Sequence, residues 1–566
     1  MAFYILILLL FCEGLGIFLF HTYLPYFLAL IPSLLIIYRI IHHNDFRISF
    51  SPSALLLGCS TFLYTISIAS SANKEASIES ILVFISLYLF YLYFSSYPIN
   101  KHSISTHIYI LCAIFIGGFL VYSNQRFLAK PFYIPQTEYQ LVSPLYYPHN
   151  HLGDFLGLGM VISFYYFLTT SRLKYLVLLF IFIPFVLISF SNSAYLSITL
   201  TCITLIFFAL RLYHTALKKV LIIFTFVVLT MVIFFIGSTK ESANFPAFKN
   251  IQQYITKTFS FYPKTLGSTR FIYFLQAIEG IKQHPLTGIG PNNFARYSSQ
   301  IYQSARVFTT DVHNIFLEIG VEAGLPALLF FLVFIVFRIR HGIINPSLSF
   351  FIFLYFLFNF QTDYTYKIYS ILLFFIFSAS QINRQNQNKN TSIGTFVFSG
   401  TALFLQVIII CIITSLIFQK SGSPSKAVLF NPFNRYAYYD LLKEASAQHN
   451  NIHIDEYAGK LRNISKVNIQ SELIIADAYQ TVVEPQKQLQ ALQSAYHLQP
   501  ILSPNYIEQL YALILQFQSK KQADQLITSY ISNRQQAMYY VANKQTVEEL
   551  RSLCKKTYEK ACEKVK

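Results

Sequence analysis

The stretch VHNIFLEIGVEAGLPALLFFLVFIVFRIR, residues 312–340, decides the fold, because an apolar run long enough to cross a membrane begins there with polar side chains. Its first turns carry His313, Asn314, Glu318 and Glu322. The last three are spaced i, i+4, i+8 and therefore form one polar stripe along a helix. Polar groups in hydrocarbon are costly and usually mark function. The stretch predicts a transmembrane helix whose first turns belong to a functional site.

The same helix contains its own packing signals. Gly320 and Gly324 form a GxxxG patch that lets another helix approach closely. Pro326 is tolerated at that depth where neighbours satisfy the carbonyl that it leaves free. His313 lies at the water boundary, where a neutral imidazole can take up a proton. For the two glutamates, packing against a neighbouring helix is as good an interpretation as a functional role.

The composition predicts an all-α polytopic membrane protein. Its 566 residues are 54% hydrophobic, and apolar runs of about 20 residues recur as far as residue 420. The first run lacks a small-residue cleavage site and is followed at once by a second, so we expect it to be retained. We predict about thirteen transmembrane helices with one large external loop, 238–312, at about 3–20, 23–41, 52–70, 79–96, 106–123, 151–170, 174–190, 193–213, 218–237, 314–338, 348–361, 366–380 and 395–418.

Lysine and arginine in the short loops predict the orientation. The loops after the even-numbered helices are the basic ones, with Arg39, Arg47, Lys101, Arg172, Lys174, Arg211, Lys218, Lys219, Arg338, Arg340, Arg384 and Lys389. The alternate short loops hold Lys74, Arg126, Lys130 and Lys367. By the positive-inside rule the N-terminus is cytoplasmic and the segment after the last helix is extracytoplasmic. Because thirteen is odd, a miscounted helix would move that segment to the other side.

The C-terminal part, residues 425–566, is polar and has helical periodicity. SKAVLFNPFNRYAYYDLLKEASAQ, 425–448, and LQSAYHLQPILSPNYIEQLYALILQ, 492–516, place Pro432 and Pro500 68 residues apart, twice the ~34-residue tetratricopeptide period. The copy between them, around 461–485, is degenerate. We therefore predict an extracytoplasmic, tetratricopeptide-like helical repeat domain that binds an acceptor or a protein partner. Near its end, Cys554 and Cys562 could be free thiols or bridge a turn.

The net charge of +17 has two sources. The cytoplasmic loops supply one part. The long loop 238–312 supplies the other, with Lys240, Lys249, Lys257, Lys264, Arg270, Lys282, Arg296 and Arg306 against Glu241, Glu279 and Asp311. Long loops escape the positive-inside rule, so anionic lipid headgroups and a phosphate-bearing substrate remain alternative explanations. The spacing of His, Cys, Asp and Glu indicates no metal site, and we predict no cofactor and no nucleic-acid partner.

Part of this loop is structured according to its pattern. Ser268 and Thr269 can cap a helix whose apolar residues recur at helical spacing and whose first turn contains Arg270. We expect this helix to be amphipathic and to lie at the membrane surface. The sequence PLTGIGPNNF follows, and its Gly288 and Gly290 allow tight turns and close backbone approach.

Three segments carry a resemblance to a known family. They are GSTRFIYFLQAIEGIKQHPLTGIGPNNF at 267–294, DVHNIFLEIGVEAGLPALLFFLVFI at 311–335 and YYPHNHLGDFLGLGM at 146–160. Together they resemble the O-antigen ligase and polymerase superfamily, which includes bacterial protein O-oligosaccharyltransferases. The shared pattern is an arginine that opens a short helix, a His-Pro-x-x-Gly-x-Gly turn and a His-Asn helix with an acidic residue and glycines.

The resemblance implies an enzyme of the bacterial cytoplasmic membrane. It would transfer a glycan from a polyprenyl-diphosphate carrier, such as undecaprenyl diphosphate, to an acceptor hydroxyl on a lipid or protein, without a metal or a nucleotide sugar. Arg270 is the first candidate to stabilise the diphosphate, Arg296 is the second, and Arg126 and Arg306 are further candidates. His313 is the candidate general base. His149, Asn150, His151 and Asp154 would line the opposite wall. The candidate substrate-binding residues are Arg296, Asn314, Glu318, Glu322, Gly288, Gly290, Asn150, His151 and Arg126.

The acceptor stays open at this point. Protein oligosaccharyltransferases of the superfamily tend to have a glutamine before the Asn-His of the second segment, where this chain has Pro148 and His149. Ligases tend to have an arginine in that region, and Arg126 is the nearest here. A polysaccharide repeat-unit polymerase is the alternative enzyme. A transporter would explain the helices and the basic loop, but the repeated halves or paired broken helices typical of transporters are not evident.

Overall fold

The structure is a computed structural model that describes residues 47–97, part of 105–116, 149–189, 191–212, 216–240, 269–301, 311–382, 391–465, 468–498 and 502–538. The helices of the membrane domain are α1 (Pro52–Ile66), α2 (Lys74–Ser96), α3 (His149–Thr170), α4 (Leu173–Ile188), α5 (Asn192–Leu212), α6 (Ala216–Lys240), α7 (Thr269–Gln283), α8 (Phe294–Ile301), α9 (Ile315–Ile344), α10 (Leu348–Asn359), α11 (Tyr369–Gln381) and α12 (Thr391–Lys420). Short 3-10 helices, Ser67–Ser70 and Thr365–Lys367, extend α1 and precede α11.

Within the described residues, five segments are long and apolar enough to cross a membrane: Pro52–Ser70, Lys74–Ser96, Asn192–Leu212, Ile315–Ile344 and Ser392–Lys420. Shorter apolar helices occur at Leu173–Leu187, Leu348–Asn359 and Ile371–Gln381. The protein is therefore a multi-pass membrane protein. The total of thirteen stays a prediction, and the predicted helices 3–20 and 23–41 lie outside the described residues.

The two short helices α10 and α11 form the interior of the bundle. α9 packs against α1, α11 against α2, and α10 against both α5 and α11. Nearly every side chain of α10 is buried, which explains why its sequence is apolar on all sides. A 12-residue helix is about 18 Å long, well short of the ~30 Å hydrocarbon layer. In the loop between α10 and α11, Asp363 and Thr365 are fully buried, and irregular backbone at membrane depth is tolerated where it is buried in protein.

α9 is broken near its N-terminal end, and the glycine-rich turn supplies hydrogen bonds to the backbone at the break. Pro326 has no N–H to donate to the carbonyl of Glu322, four residues earlier. The Gly290 N–H donates to that carbonyl at 3.0 Å, and the Ile289 N–H donates to Val321 O at 2.9 Å. In return the Leu325 N–H donates to the carbonyl of Pro285 at 2.7 Å. The sequence predicted that neighbouring residues satisfy the carbonyl that Pro326 leaves free, and these neighbours are the residues of the PLTGIG turn.

Two glycines make this contact sterically feasible. Gly288 has φ +64° and Gly324 has φ +85°, in the region that side chains disfavour. A Cβ at Gly288 would lie 2.3 Å from the Glu322 carbonyl, and one at Gly324 would lie 2.4 Å from the Leu286 carbonyl. The backbones of the turn and of α9 therefore meet with no room for a side chain.

α7 and α8 lie beside this turn. They are joined by a buried hydrogen bond from Ser298 to Gln276, 2.7 Å. The side chain of Asn293 anchors the segment to the α1–α2 connection by donating to Ser71 and Ser77 at 2.9 and 3.0 Å. Phe271 on α7 is 59% exposed while Ala277 is fully buried, so α7 has the two unlike faces that its sequence predicts.

The C-terminal part begins with α13 (Pro424–Phe430) and continues as three successive helix pairs: α14 (Arg435–Ala447) with α15 (Asn451–Ile464), α16 (Ile469–Thr481) with α17 (Pro485–Leu498), and α18 (Pro504–Phe517) with α19 (Lys520–Met538). Hydrogen bonds connect matching positions of successive pairs, such as Tyr439 to Ser471, 32 residues apart, and Tyr496 to Ser529, 33 residues apart. The degenerate copy, around 461–485, contains α16 and the end of α15. Cys554 and Cys562 lie outside the described residues.

The helix pairs are attached directly to the membrane domain. The Asn434 side chain donates to Ser415 of α12 at 3.0 Å, and Arg435 forms an ion pair with Glu75 of α2 at 3.0 Å. Asn73 and Ser465 form an isolated antiparallel bridge between the α1–α2 connection and the end of α15. The first helix pair therefore contacts the end of the bundle that carries the α1–α2 connection.

Candidate functional site

The turn before α9 holds His313 in an uncommon backbone conformation. His313 has φ +62°, which is infrequent for residues with a side chain. Asn314 caps α9, because its side-chain oxygen accepts the N–H groups of Phe316 and Leu317 at 3.0 and 3.1 Å. Its amide group donates to the side chain of Gln361 at 3.0 Å. The turn is therefore fixed both to its own helix and to the α10–α11 loop.

Asp363 in the α10–α11 loop lies between the two predicted catalytic residues. Its Oδ2 is 3.9 Å from Nη2 of Arg270, and its Oδ1 is 3.9 Å from Nδ1 of His313. The carboxylate is fully buried and accepts a hydrogen bond from Ser193 at 2.9 Å and one from the Tyr364 N–H at 2.7 Å. The structure thus brings Arg270, from α7, and His313, from the turn before α9, to one carboxylate.

The surroundings of His313 favour its neutral form. Burial lowers the pKa of His313 below 6.5, and the nearby charge of Arg270 lowers it further, while Asp363 partly opposes both. The ring stacks on Tyr273 at 5.7 Å and meets Tyr364 edge-on at 5.0 Å. Nδ1 is buried and has no hydrogen-bond partner among the described residues. At neutral pH the imidazole is therefore uncharged and able to accept a proton.

The glutamates of the polar stripe are buried and belong to a charge cluster around Lys367, whose side chain is 29% exposed. The Lys367 ammonium lies 2.5 Å from Glu318, 3.7 Å from Glu322 and 3.8 Å from Asp311. Glu322 also accepts the hydroxyl of Tyr64 at 2.6 Å. The stripe is thus paired with the α10–α11 loop and with α1.

Arg296, the second candidate for the diphosphate, lies at the contact with the helix pairs. It donates to the Ser465 hydroxyl at 3.0 Å. Burial lowers its pKa to about 10, with a further contribution from Arg435, and Glu75 opposes the shift. The structure places Arg296 among these residues and not beside Asp363. Arg126 and Arg306 lie outside the described residues.

The second predicted segment reaches the same loop through Asp154. Asn150 and His151 lie in the first turn of α3, and the structure does not describe their side chains. One turn further, Asp154 accepts the side-chain amide of Asn359 at 2.7 Å. The Asn359 side chain in turn accepts the hydroxyl of Thr365. The start of α3 is therefore tied to the loop that carries Asp363.

Sequence reasoning missed the α10–α11 loop itself. The stretch NFQTDYTYKIYS, 359–370, supplies Asp363 and Lys367, and Lys367 entered the sequence analysis only as a loop cation. The signal was the unusual shortness of the two predicted helices that flank these polar residues. Among the described residues, no group of three or more His, Cys, Asp or Glu could hold a metal ion.

One comparison with known proteins gives a family match. The O-antigen ligase family matches residues 157–332, a range that contains Arg270, the glycine turn and His313. Asp363 and the helix pairs lie beyond that range. No individual curated protein matches the chain. The match suggests a ligase-like or polymerase-like membrane enzyme that uses a lipid-linked glycan donor. Over the matched residues it supports the resemblance in the sequence, and with it membership of the O-antigen ligase superfamily.

Proposed function

We propose that this protein transfers a glycan from a polyprenyl-diphosphate carrier to an acceptor hydroxyl on a lipid or a protein. The observation that carries the proposal is the position of Asp363, 3.9 Å from both the Arg270 guanidinium and the His313 imidazole. A cation for the leaving phosphate and a neutral base for the attacking hydroxyl are what such a transfer needs. Both groups lie at the end of the bundle where α9 begins.

Arg270 has the features of a phosphate-binding group. It lies at the first turn of α7, and 35% of its side chain remains exposed. Its contact with Asp363, at 3.9 Å, leaves other N–H donors for a diphosphate, which a guanidinium can grip with two parallel hydrogen bonds. The diphosphate is already a good leaving group, so Arg270 stabilises the charge that develops on it.

His313 acts as the general base. Its Nδ1 is buried and faces Asp363, so Nε2 is the nitrogen that takes the proton of the acceptor hydroxyl. The hydroxyl oxygen forms a bond to the anomeric carbon while the bond from that carbon to the phosphate oxygen breaks. The electron pair leaves with the diphosphate, and the anomeric centre inverts. Asp363 stabilises the imidazolium that forms.

The remaining candidate residues support this centre in different ways. The turn of Gly288 and Gly290 satisfies the backbone of α9 at its break near Pro326, and Asn314 fixes the His313 turn. Asn150 and His151, at the start of α3, would line the acceptor side of the site. Arg296 would act at the contact with the helix pairs instead of on the diphosphate.

The helix pairs would recruit the acceptor or a partner protein. Their successive starts at Arg435, Ile469 and Pro504 fit a tetratricopeptide-like stack, which presents a binding surface. We place them on the extracytoplasmic side of the cytoplasmic membrane.

The test is to incubate the purified protein with a polyprenyl-diphosphate-linked glycan and identify what becomes glycosylated. A glycosylated lipid or protein supports a ligase, whereas a lipid-linked glycan of increased length indicates a polymerase. His313→Ala should abolish the transfer while expression and membrane insertion stay normal. A folded wild-type protein that consumes no donor in the presence of such acceptors would refute the proposal, and wild-type transfer by His313→Ala would remove the general base.

A further inference from the structure

Glu318 joins two segments of the chain through one buried carboxylate. Its side chain is 5% exposed. One oxygen accepts the Val312 N–H and the Tyr366 hydroxyl, each at 2.9 Å, and the other lies 2.5 Å from the Lys367 ammonium. A buried carboxylate is stable only where donors of this kind surround it, so it fixes the positions of those donors in return.

These donors flank the two groups that meet at the candidate site. Val312 directly precedes His313, and Tyr366 and Lys367 follow Asp363 by three and four residues. The carboxylate of Glu318 therefore ties the His313 turn to the Asp363 loop. Three further contacts join these segments, from the Ile315 N–H to the Phe360 carbonyl at 3.0 Å, from the Asn314 amide to Gln361 at 3.0 Å and from Lys367 to Asp311 at 3.8 Å. None of them involves Val312.

The distance between His313 and Asp363 is such that the Glu318 contacts affect whether these two residues interact. Nδ1 of His313 and Oδ1 of Asp363 are 3.9 Å apart, somewhat beyond hydrogen-bond distance, so a small shift of either segment decides whether they form a hydrogen bond. His313 also keeps φ +62°, an unfavourable conformation that its surroundings must maintain. The hydrogen bond from the Val312 N–H to Glu318 restrains the residue that directly precedes His313.

Glu322, one turn further along α9, provides a contrast. It also lies near Lys367, at 3.7 Å, but its hydrogen bond is to Tyr64 of α1, and no contact to the His313 turn is seen in the described residues. Of the two glutamates in the polar stripe, Glu318 is the one that links the two functional segments.

We propose that Glu318 is a positioning residue that holds His313 and Asp363 in register without touching the substrate. The inference rests on the roles proposed above for His313 and Asp363. It assigns Glu318 neither a proton transfer nor a contact with the diphosphate.

The experiment compares Glu318→Ala and Glu318→Gln with the wild-type full-length protein. One readout is donor turnover, resolved into kcat and KM, and the other is the rate at which diethyl pyrocarbonate modifies His313, measured by peptide mass spectrometry. We expect Glu318→Ala to lower kcat about 10²-fold, the effect of misplacing a reacting group by about 1 Å, with little change in KM. Modification of His313 should become several-fold faster. Glu318→Gln, whose amide oxygen still accepts the Val312 N–H, should be intermediate in both.

The matched control is Glu472→Gln in α16. Glu472 is similarly buried and accepts two hydrogen bonds from Arg462, at 2.9 and 2.7 Å, far from the candidate site along the chain. It should leave donor turnover and His313 modification unchanged.

Wild-type kcat and His313 modification in Glu318→Ala would overturn the proposal. Equal inactivity of the Ala and Gln variants with unchanged His313 modification would also overturn it, by making Glu318 a reacting acid or base. If Glu318→Ala does not fold, Glu318→Gln alone tests the proposal. Unaltered donor turnover and an unaltered rate of His313 modification in that variant would refute the positioning role. A wild-type protein that consumes no donor would refute the proposed function, while the modification rates would still test the link between Glu318 and His313.

Discussion

Replacing Asp363 by asparagine should slow glycan transfer about 30-fold. The carboxylate lies 3.9 Å from His313 and is fully buried. At an effective dielectric constant of about 20, two unit charges at that distance attract by about 4 kcal/mol. With the proton about half transferred in the transition state, about 2 kcal/mol of that attraction is lost, and each ~1.4 kcal/mol is a factor of ten in rate. Arg270, no longer balanced by Asp363, would oppose the developing imidazolium further.

The assay is chromatographic measurement of donor consumption across a range of pH. Because Asp363 raises the pKa of His313 against the lowering effects of burial and Arg270, its removal should also move the acid limb of the kcat/KM profile to lower pH. Asp477→Asn serves as the control, since Asp477 lies in α16 of the C-terminal part and accepts a hydrogen bond from the Tyr506 hydroxyl. A wild-type rate in Asp363→Asn, or a loss confined to KM, would refute the argument.

The other predictions concern the cation, the base, the turn and the C-terminal domain. Arg270→Lys should lower donor turnover about 10²-fold, because an ammonium cannot grip a diphosphate with two parallel bonds, and an unchanged rate would assign that role to another cation. In the wild-type protein, kcat/KM should fall on the acid side with a midpoint below 6.5, since His313 loses activity as it becomes protonated, and a midpoint above 6.5 would contradict its pKa shift. Gly288→Ala should destabilise the folded protein by at least ~1–2 kcal/mol from its φ of +64° alone, whereas Gly459→Ala, in a helix with open space around it, should not, as thermal denaturation would show. Truncation near residue 420 should preserve donor consumption and reduce transfer to the native acceptor, and loss of donor turnover by a well-folded truncated protein would contradict this.

The break in α9 shows what the sequence could predict and what it could not. Pro326 indicated a carbonyl in need of a partner, and Gly288 and Gly290 indicated a turn that approaches backbone closely. That these two features satisfy each other depends on a contact between segments more than 30 residues apart, for which local patterns carry no signal. The same holds for Arg270 and His313, which the resemblance joined in one site but which only the fold brings to a common carboxylate.

Asp363 illustrates why a site residue escapes sequence reasoning. Loops between transmembrane helices normally contain polar residues, so NFQTDYTYKIYS is unremarkable when the helices beside it are taken to span the membrane. α10 and α11 have only 12 and 13 residues, and Asp363 in the loop between them is fully buried. Periodicity could indicate the apolar segments but not the depth at which they end.

The relative placement of the site and the C-terminal domain is independent of how many helices the chain has. From sequence, one miscounted helix would move the domain to the other side of the membrane. In the structure, Ser465 at the end of α15 pairs with Asn73 in the α1–α2 connection, and the N–H of Asn73 donates to the Asn293 side chain, next to the glycine turn, at 2.9 Å. An error in the count would therefore move the site and the domain together. A domain that recruits the acceptor must share a side with His313, and these contacts place it there whichever side that is.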